Sequence, residues 1–126
     1  MTTKGVPPSS SIVPIRGDVW LIGFDPVKGD EIRKIRPAIV ISADNYSPLK
    51  TKLVVPLTKW QEKFAVADYM VKVLADANNG LDHDSAADAL QLRCVSYKRF
   101  INKLGVVQAS ILDEISAAIA IVIEFQ

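Results

Sequence analysis

The chain has 126 residues, 49% hydrophobic and 23% charged, with a formal net charge of +1. Those values describe one folded domain with a core of its own, and they exclude a disordered chain. They also exclude a global basic signature, so any nucleic-acid site must be local.

Residues 1–14 carry Pro7, Pro8, Ser9, Ser10, Ser11 and Pro14 and read as a mobile arm, leaving 15–126 as a single domain. Arg16 to Phe24 reads as the first strand, ended by Asp25-Pro26. Asp25 to Ile35 is then a long charged connection, of a length that is often functional. Pro37 to Ser42 is a β-branched second strand. Pro37 fixes its own φ and pushes Arg36 towards extended backbone, so Arg36 stands at the mouth of that strand. Ala43 to Pro48 is turn chemistry. Lys52 to Leu57 is a third strand, placed at an edge or frayed by Pro56, which has no N–H for a ladder.

Tyr69 to Leu74 reads as the fourth strand and Ala86 to Val95 as the fifth, with a polar loop containing Asn78-Asn79-Gly80 between them. Ser96 to Phe100 has the pattern of a short helical turn, and Leu104 to Val107 of one more strand. Ser110 to Asp113 fits a capping box that opens a final helix. Ile111, Leu112, Ile115, Ile119, Val122 and Ile123 follow at helical spacing. Ile119, Ile121, Ile123 and Phe125 also alternate, which leaves a terminal strand as a second reading. Five or six short strands followed by one helix predict a small, strongly curved β-barrel with the helix laid against it.

Three polar residues stand where loops meet strands: Glu31, Arg36 and Thr58. If the second and third strands pair, a carboxylate, a guanidinium and a hydroxyl converge. That set suits a phosphodiester. Arginine offers a planar fork to two non-bridging oxygens and stabilises the charge that builds up on phosphorus. A threonine hydroxyl orients the phosphate, and a glutamate can accept a proton from a ribose 2′-hydroxyl. The plainer alternative is that all three are solvated surface residues.

The segments Gly17-Asp18-Val19-Trp20, Asp25-Pro26 with Gly29 and Glu31, Arg36-Pro37-Ala38-Ile39-Val40-Ile41-Ser42 and Val54-Val55-Pro56-Leu57-Thr58 resemble, in that order, the MazF/PemK family of toxin–antitoxin endoribonucleases. The likeness continues through Asp84-Ser85, Gln91-Leu92-Arg93 and Lys103-Leu104-Gly105. The resemblance implies an SH3-like, CcdB-type β-barrel that forms a homodimer. It implies cleavage of single-stranded RNA, such as mRNA, at short sequences by 2′-hydroxyl attack, with no metal or other cofactor. The family's catalytic arginine and threonine fall on Arg36 and Thr58, and its loop glutamate falls on Glu31. RNA is expected to lie across the dimer face, with Lys28, Arg33, Lys34, Lys59 and Trp60 as candidate contacts. A cognate antitoxin is the expected partner, covering the same groove, and operator DNA is reached only through it. A CcdB-like toxin that binds DNA gyrase without catalysis, or a member that only binds its partner, are the alternatives.

The chain departs from the family pattern at Leu90, where many members carry an aspartate, and Asp88 lies two residues back. His83 sits between Asp82 and Asp84 and would make an attractive acid–base group, but the family places no required histidine there, so it reads as an inert loop residue. Trp20 reads as core, while Trp60 fits either a base-stacking platform or a hydrophobic lid. Arg93 reads as structural, bridging to a second subunit or to a carboxylate. Cys94, the one cysteine, excludes an intrachain disulfide and reads as a buried, inert thiol. With one histidine, a zinc site would need mainly carboxylates. No apolar leader is visible, and the longest apolar run, 117–123, is too short for a bilayer. A cytoplasmic location follows from these readings.

Overall fold

Trp20 and its neighbours form a strand with both faces covered. The computed structural model describes residues 12–24 and 34–125. It contains seven strands: β1 (Asp18–Phe24), β2 (Lys34–Val40), β3 (Thr51–Lys59), β4 (Met70–Val73), β5 (Ser85–Asp88), β6 (Arg93–Ser96) and β7 (Phe100–Val106). Among the described residues there is one α-helix, α1 (Ala109–Val122), after the last strand. Short 3-10 turns at Asp44–Leu49, Glu62–Val66, Ala89–Gln91 and Tyr97–Arg99 join the strands. Residues 1–11 of the expected N-terminal arm lie outside the described residues; Pro14 is buried.

The sheet does not close into the expected barrel. Its pairings run β4-β5-β3-β2-β1-β7 with β6 added to β3, and among the described residues no pairing joins the two ends of that path. Every pair is antiparallel. Helix α1 covers one face, and among the described residues β4, β6 and β7 each pair with one strand only.

Alternate residues of β1, β2 and β3 feed two separate cores, which is why these strands read as continuous apolar runs. Val19, Ile39, Val55 and Leu57 pack with Val71, Val73 and Ala87 beneath Ile115 and Ala118 of α1. Trp20, Ile22, Ala38, Val40 and Val54 pack with Val95 and Phe100 in the second. The Trp20 ring meets the edge of Phe100 at 5.6 Å. Its Nε1 donates to Asp18 Oδ2 at 3.0 Å, so Trp20 is core, as its setting in the sequence suggests.

β3 is the hub rather than an edge. Val54 pairs with Val40 of β2 on one side and Arg93 of β6 on the other. Leu57 to Lys59 pair with β5. Pro56 is tolerated because on one side it lies between the end of the β6 ladder and the start of the β5 ladder, and on the other it is the last rung of the pairing with β2. The expected fifth strand is therefore two. Three steps along β3, from Leu57 to Val54, correspond to six along the facing chain, from Ala87 to Arg93. The 3-10 turn Ala89–Gln91 takes up the excess, and Asp88 Oδ1 caps it by accepting from the Leu90 N–H at 3.0 Å.

At the far end, α1 excludes the alternating-strand reading. It begins one residue before Ser110, with Gln108 as N-cap and no side-chain cap bond, so the expected capping box does not form. Its buried face, Ile111, Leu112, Ile115, Ala118, Ile119 and Val122, follows the helical period. Cys94 is exposed, because it sits on β6 beside the exposed Leu53 of β3, with which it is paired, and not in either core.

Candidate functional site

β2 begins earlier than its sequence suggests. Lys34 and Ile35 already pair with Phe24 and Gly23 of β1, so Arg36 is an interior strand residue opposite Ile22 and not a residue at the mouth. The ladder between β2 and β3 has its last rung at Ala38↔Pro56. Two prolines flank that point, Pro37 on β2 and Pro56 on β3, and neither can donate to a ladder. The strands part there. Carrying the register two residues further puts Arg36 opposite Thr58, which itself pairs with Ala86 of β5.

A groove of about 530 Å³ opens where the strands separate. Lys34, Ile35, Arg36 and Pro37 of β2 line it, with Leu57, Thr58 and Lys59 of β3. Leu21 and Leu104 add apolar floor, and Gly80 to His83, with Ser85, form the facing wall. Its lining charges are Lys34, Arg36 and Lys59 against Asp82, with His83 beside them. That excess of cations suits a polyanion, and the guanidinium supplies a fork for phosphate oxygens.

The facing wall is held by side chains bonding to backbone. Asp76 Oδ1 accepts from the N–H groups of Asn78 and Asn79, both at 2.8 Å. Asn79 Oδ1 accepts from Asp76 and Leu81 N–H, and its amide donates to the Leu74 carbonyl. Gly80 takes a φ of +69°, where a Cβ would also overlap the Leu104 carbonyl oxygen. Gly105 is equally constrained from the other side, since a Cβ there would overlap the Asn78 carbonyl oxygen. The Val106 N–H donates to that same oxygen at 2.8 Å, which clamps the turn onto β7.

Of the expected site residues, Arg36, Thr58, Lys34 and Lys59 come together in the groove. Glu31, Lys28 and Arg33 lie outside the described residues. Trp60 stands just past β3, its N–H donating to the Asp84 carbonyl at 3.0 Å. Its ring meets Phe64 edge-on at 5.8 Å, with Lys72 Nζ 4.8 Å from its centre. It does not line the groove. Asp88 and Leu90 do not line it either. Arg93 lies over the Phe24 ring at 5.0 Å. His83 is the residue that the sequence pattern alone sets aside: the pinned turn carries it into the groove, and only the neighbouring Asn-Asn-Gly pattern signals such a turn. Among the described residues no group of three or more potential ligating side chains is gathered for a metal, and no helix is long and apolar enough to cross a membrane.

Among the described residues, an antiparallel sheet around β3, one packed helix and a cationic Arg–Thr groove define a small mainly-β protein with a site suited to a polyanion, and the comparisons with known proteins give its family. The model of the PemK-like, MazF-like toxin of type II toxin–antitoxin systems matches residues 15–123. The chain belongs to this family. It is 33% identical over 111 residues to endoribonuclease MazF9 of Mycobacterium tuberculosis, covering 82% of this chain and 91% of that one. It is 31% identical over 109 residues to endoribonuclease MazF of Staphylococcus epidermidis, covering 84% and 88%. The solved structure of MazF from Deinococcus radiodurans shares the fold, with a TM-score of 0.73 at 21% identity over 91% of this chain and all of that one.

Proposed function

We propose that the chain is an endoribonuclease toxin that cuts single-stranded RNA in the Arg36–Thr58 groove without a metal ion. The observation that carries this reading is the meeting of Arg36 and Thr58, from two strands, in one cationic groove of a MazF-like chain. In the reaction the ribose 2′-oxygen loses its proton, bonds to phosphorus and displaces the 5′-oxygen. The products are a 2′,3′-cyclic phosphate and a 5′-hydroxyl. Arg36 neutralises the negative charge on the non-bridging oxygens, which grows in the transition state. Thr58 donates to one of those oxygens and fixes the phosphate against the nucleophile. Glu31 is the base for the 2′-hydroxyl proton.

Lys34 and Lys59 hold flanking phosphates from the groove, and Lys28 and Arg33 are assigned to the same task. Trp60 stacks on a base beyond the groove. The working unit is a homodimer in the cytoplasm. Its activity is held in check by a cognate antitoxin whose acidic segment meets the groove cations, and operator DNA is bound only through that antitoxin.

The test is purified protein, free of antitoxin and in EDTA, acting on a long unstructured RNA with the fragment ends mapped. Discrete cuts leaving 5′-hydroxyl and cyclic phosphate ends are expected. An RNA left whole across a wide range of sequences would refute the reading, as would 5′-phosphate ends.

A further inference from the structure

His83 is the one histidine of the chain, and it lines the same groove as Arg36 and Thr58. Its backbone is fixed on both sides. The Leu81 N–H is held by Asn79 Oδ1 at 3.0 Å, and Asp84 Oδ1 accepts from the Ala75 N–H at 2.8 Å. The His83 carbonyl accepts from Ser85 Oγ at 3.1 Å. His83 is exposed, so its ring is accessible among the described residues.

The reaction proposed above needs a proton at its far end. A departing 5′-alkoxide is a strong base, and breaking the P–O5′ bond is fastest when a proton arrives as it leaves. The groove's cations are poorly suited to supply one. A guanidinium keeps its proton at any working pH, and an ammonium is only a weak acid near neutrality. Asp82, as a carboxylate, accepts protons. Imidazole is the side chain that holds a transferable proton near neutral pH.

We propose that His83 is a catalytic residue of this groove and donates a proton from its imidazolium to the leaving 5′-oxygen. The inference rests on the nuclease reading above. In the step, the O2′–P bond forms while the 2′-oxygen proton passes to the base assigned there. The P–O5′ bond breaks, its electron pair stays on the 5′-oxygen, and that oxygen takes the His83 proton. Neutral imidazole then regains a proton from water. Lys34, Arg36 and Lys59 on the strands, and Asp82 on its own loop, are the charged groups that share the groove with it.

The test compares wild type with His83→Gln on two short RNAs carrying a site mapped for the wild type. One is ordinary; the other has sulfur in place of the 5′-bridging oxygen at the cut. A thiolate leaves without protonation, so it needs no acid. On the ordinary RNA His83→Gln should be slower by about 100-fold or more. On the sulfur RNA it should come within a few-fold of wild type. Equal cleavage of the ordinary RNA by both proteins would overturn the inference and leave the nuclease reading standing. Equal losses on both RNAs would also overturn it, by showing that His83 acts in binding or in shape. Wild-type protein that cuts no RNA, so that no site can be mapped, would bring down the nuclease reading itself.

Discussion

Arg36 and Thr58 stand on neighbouring strands that separate after the rung Ala38↔Pro56, and both line the groove that this separation opens. One residue brings a fixed charge and the other a hydroxyl, each on a strand held by a β-sheet partner beyond the groove. Such a pair loses little entropy in meeting a phosphate.

Thr58→Val keeps the side-chain shape and removes the hydroxyl. Thr58 is half-buried at the end of a well-paired strand, so the fold should hold. The cleavage rate at saturating RNA should fall by about 100-fold, the usual cost of one lost donor to a developing oxyanion. Single-turnover kinetics read this directly. A variant within about threefold of wild type would remove Thr58 from the chemistry.

Trp60 lies beyond the groove with a cation against its ring. Trp60→Ala should raise KM roughly tenfold with kcat retained, as expected when a stacking contact of about 1–2 kcal/mol is lost. An unchanged KM would favour the alternative, a hydrophobic cover over Phe64 and nothing more.

Asp18 tests the frame. It is fully buried, and its Oδ2 accepts from both Trp20 Nε1 and the Ile15 N–H at 3.0 Å. Lys103 Nζ sits 3.2 Å from Oδ1, which has no directed hydrogen bond and pairs with it as a charge. Asp18→Ala orphans two donors and one cation. A loss of about 3 kcal/mol follows, which is a fall of roughly 10 °C in Tm by calorimetry. A shift under about 3 °C would mean that water replaces the carboxylate cheaply.

The two central features of the site are legible in the chain itself. Proline at 37 marks an extended approach for Arg36, and the run ending at Thr58 marks a strand end; the family resemblance ties them together. The register that sets them opposite each other is out of reach, because it depends on pairings between segments far apart in the chain. His83 reads as inert because the family requires no histidine there, and its place in the groove is out of reach for a similar reason. Its position depends on Asp76 and Asn79 folding the chain back against Gly105 of β7, a contact with no local sequence cue. The open sheet is hidden because strand count and turn spacing do not say whether the last strand meets the first. The split of β5 from β6 is hidden because Ala89, Leu90 and Leu92 are as apolar as strand residues, although a tight turn separates the two ladders. Pro56 misleads when judged by strand chemistry alone, without the gap between ladders that admits it.

The decisive comparison is Arg36→Ala beside wild type on unstructured RNA in EDTA, with thermal unfolding measured on both proteins. Discrete cuts by wild type are expected, with none by the variant and Tm values within about 3 °C of each other. A folded Arg36→Ala protein that still cuts at the same sites, at a rate close to that of wild type, would contradict the assignment of Arg36 to the chemistry.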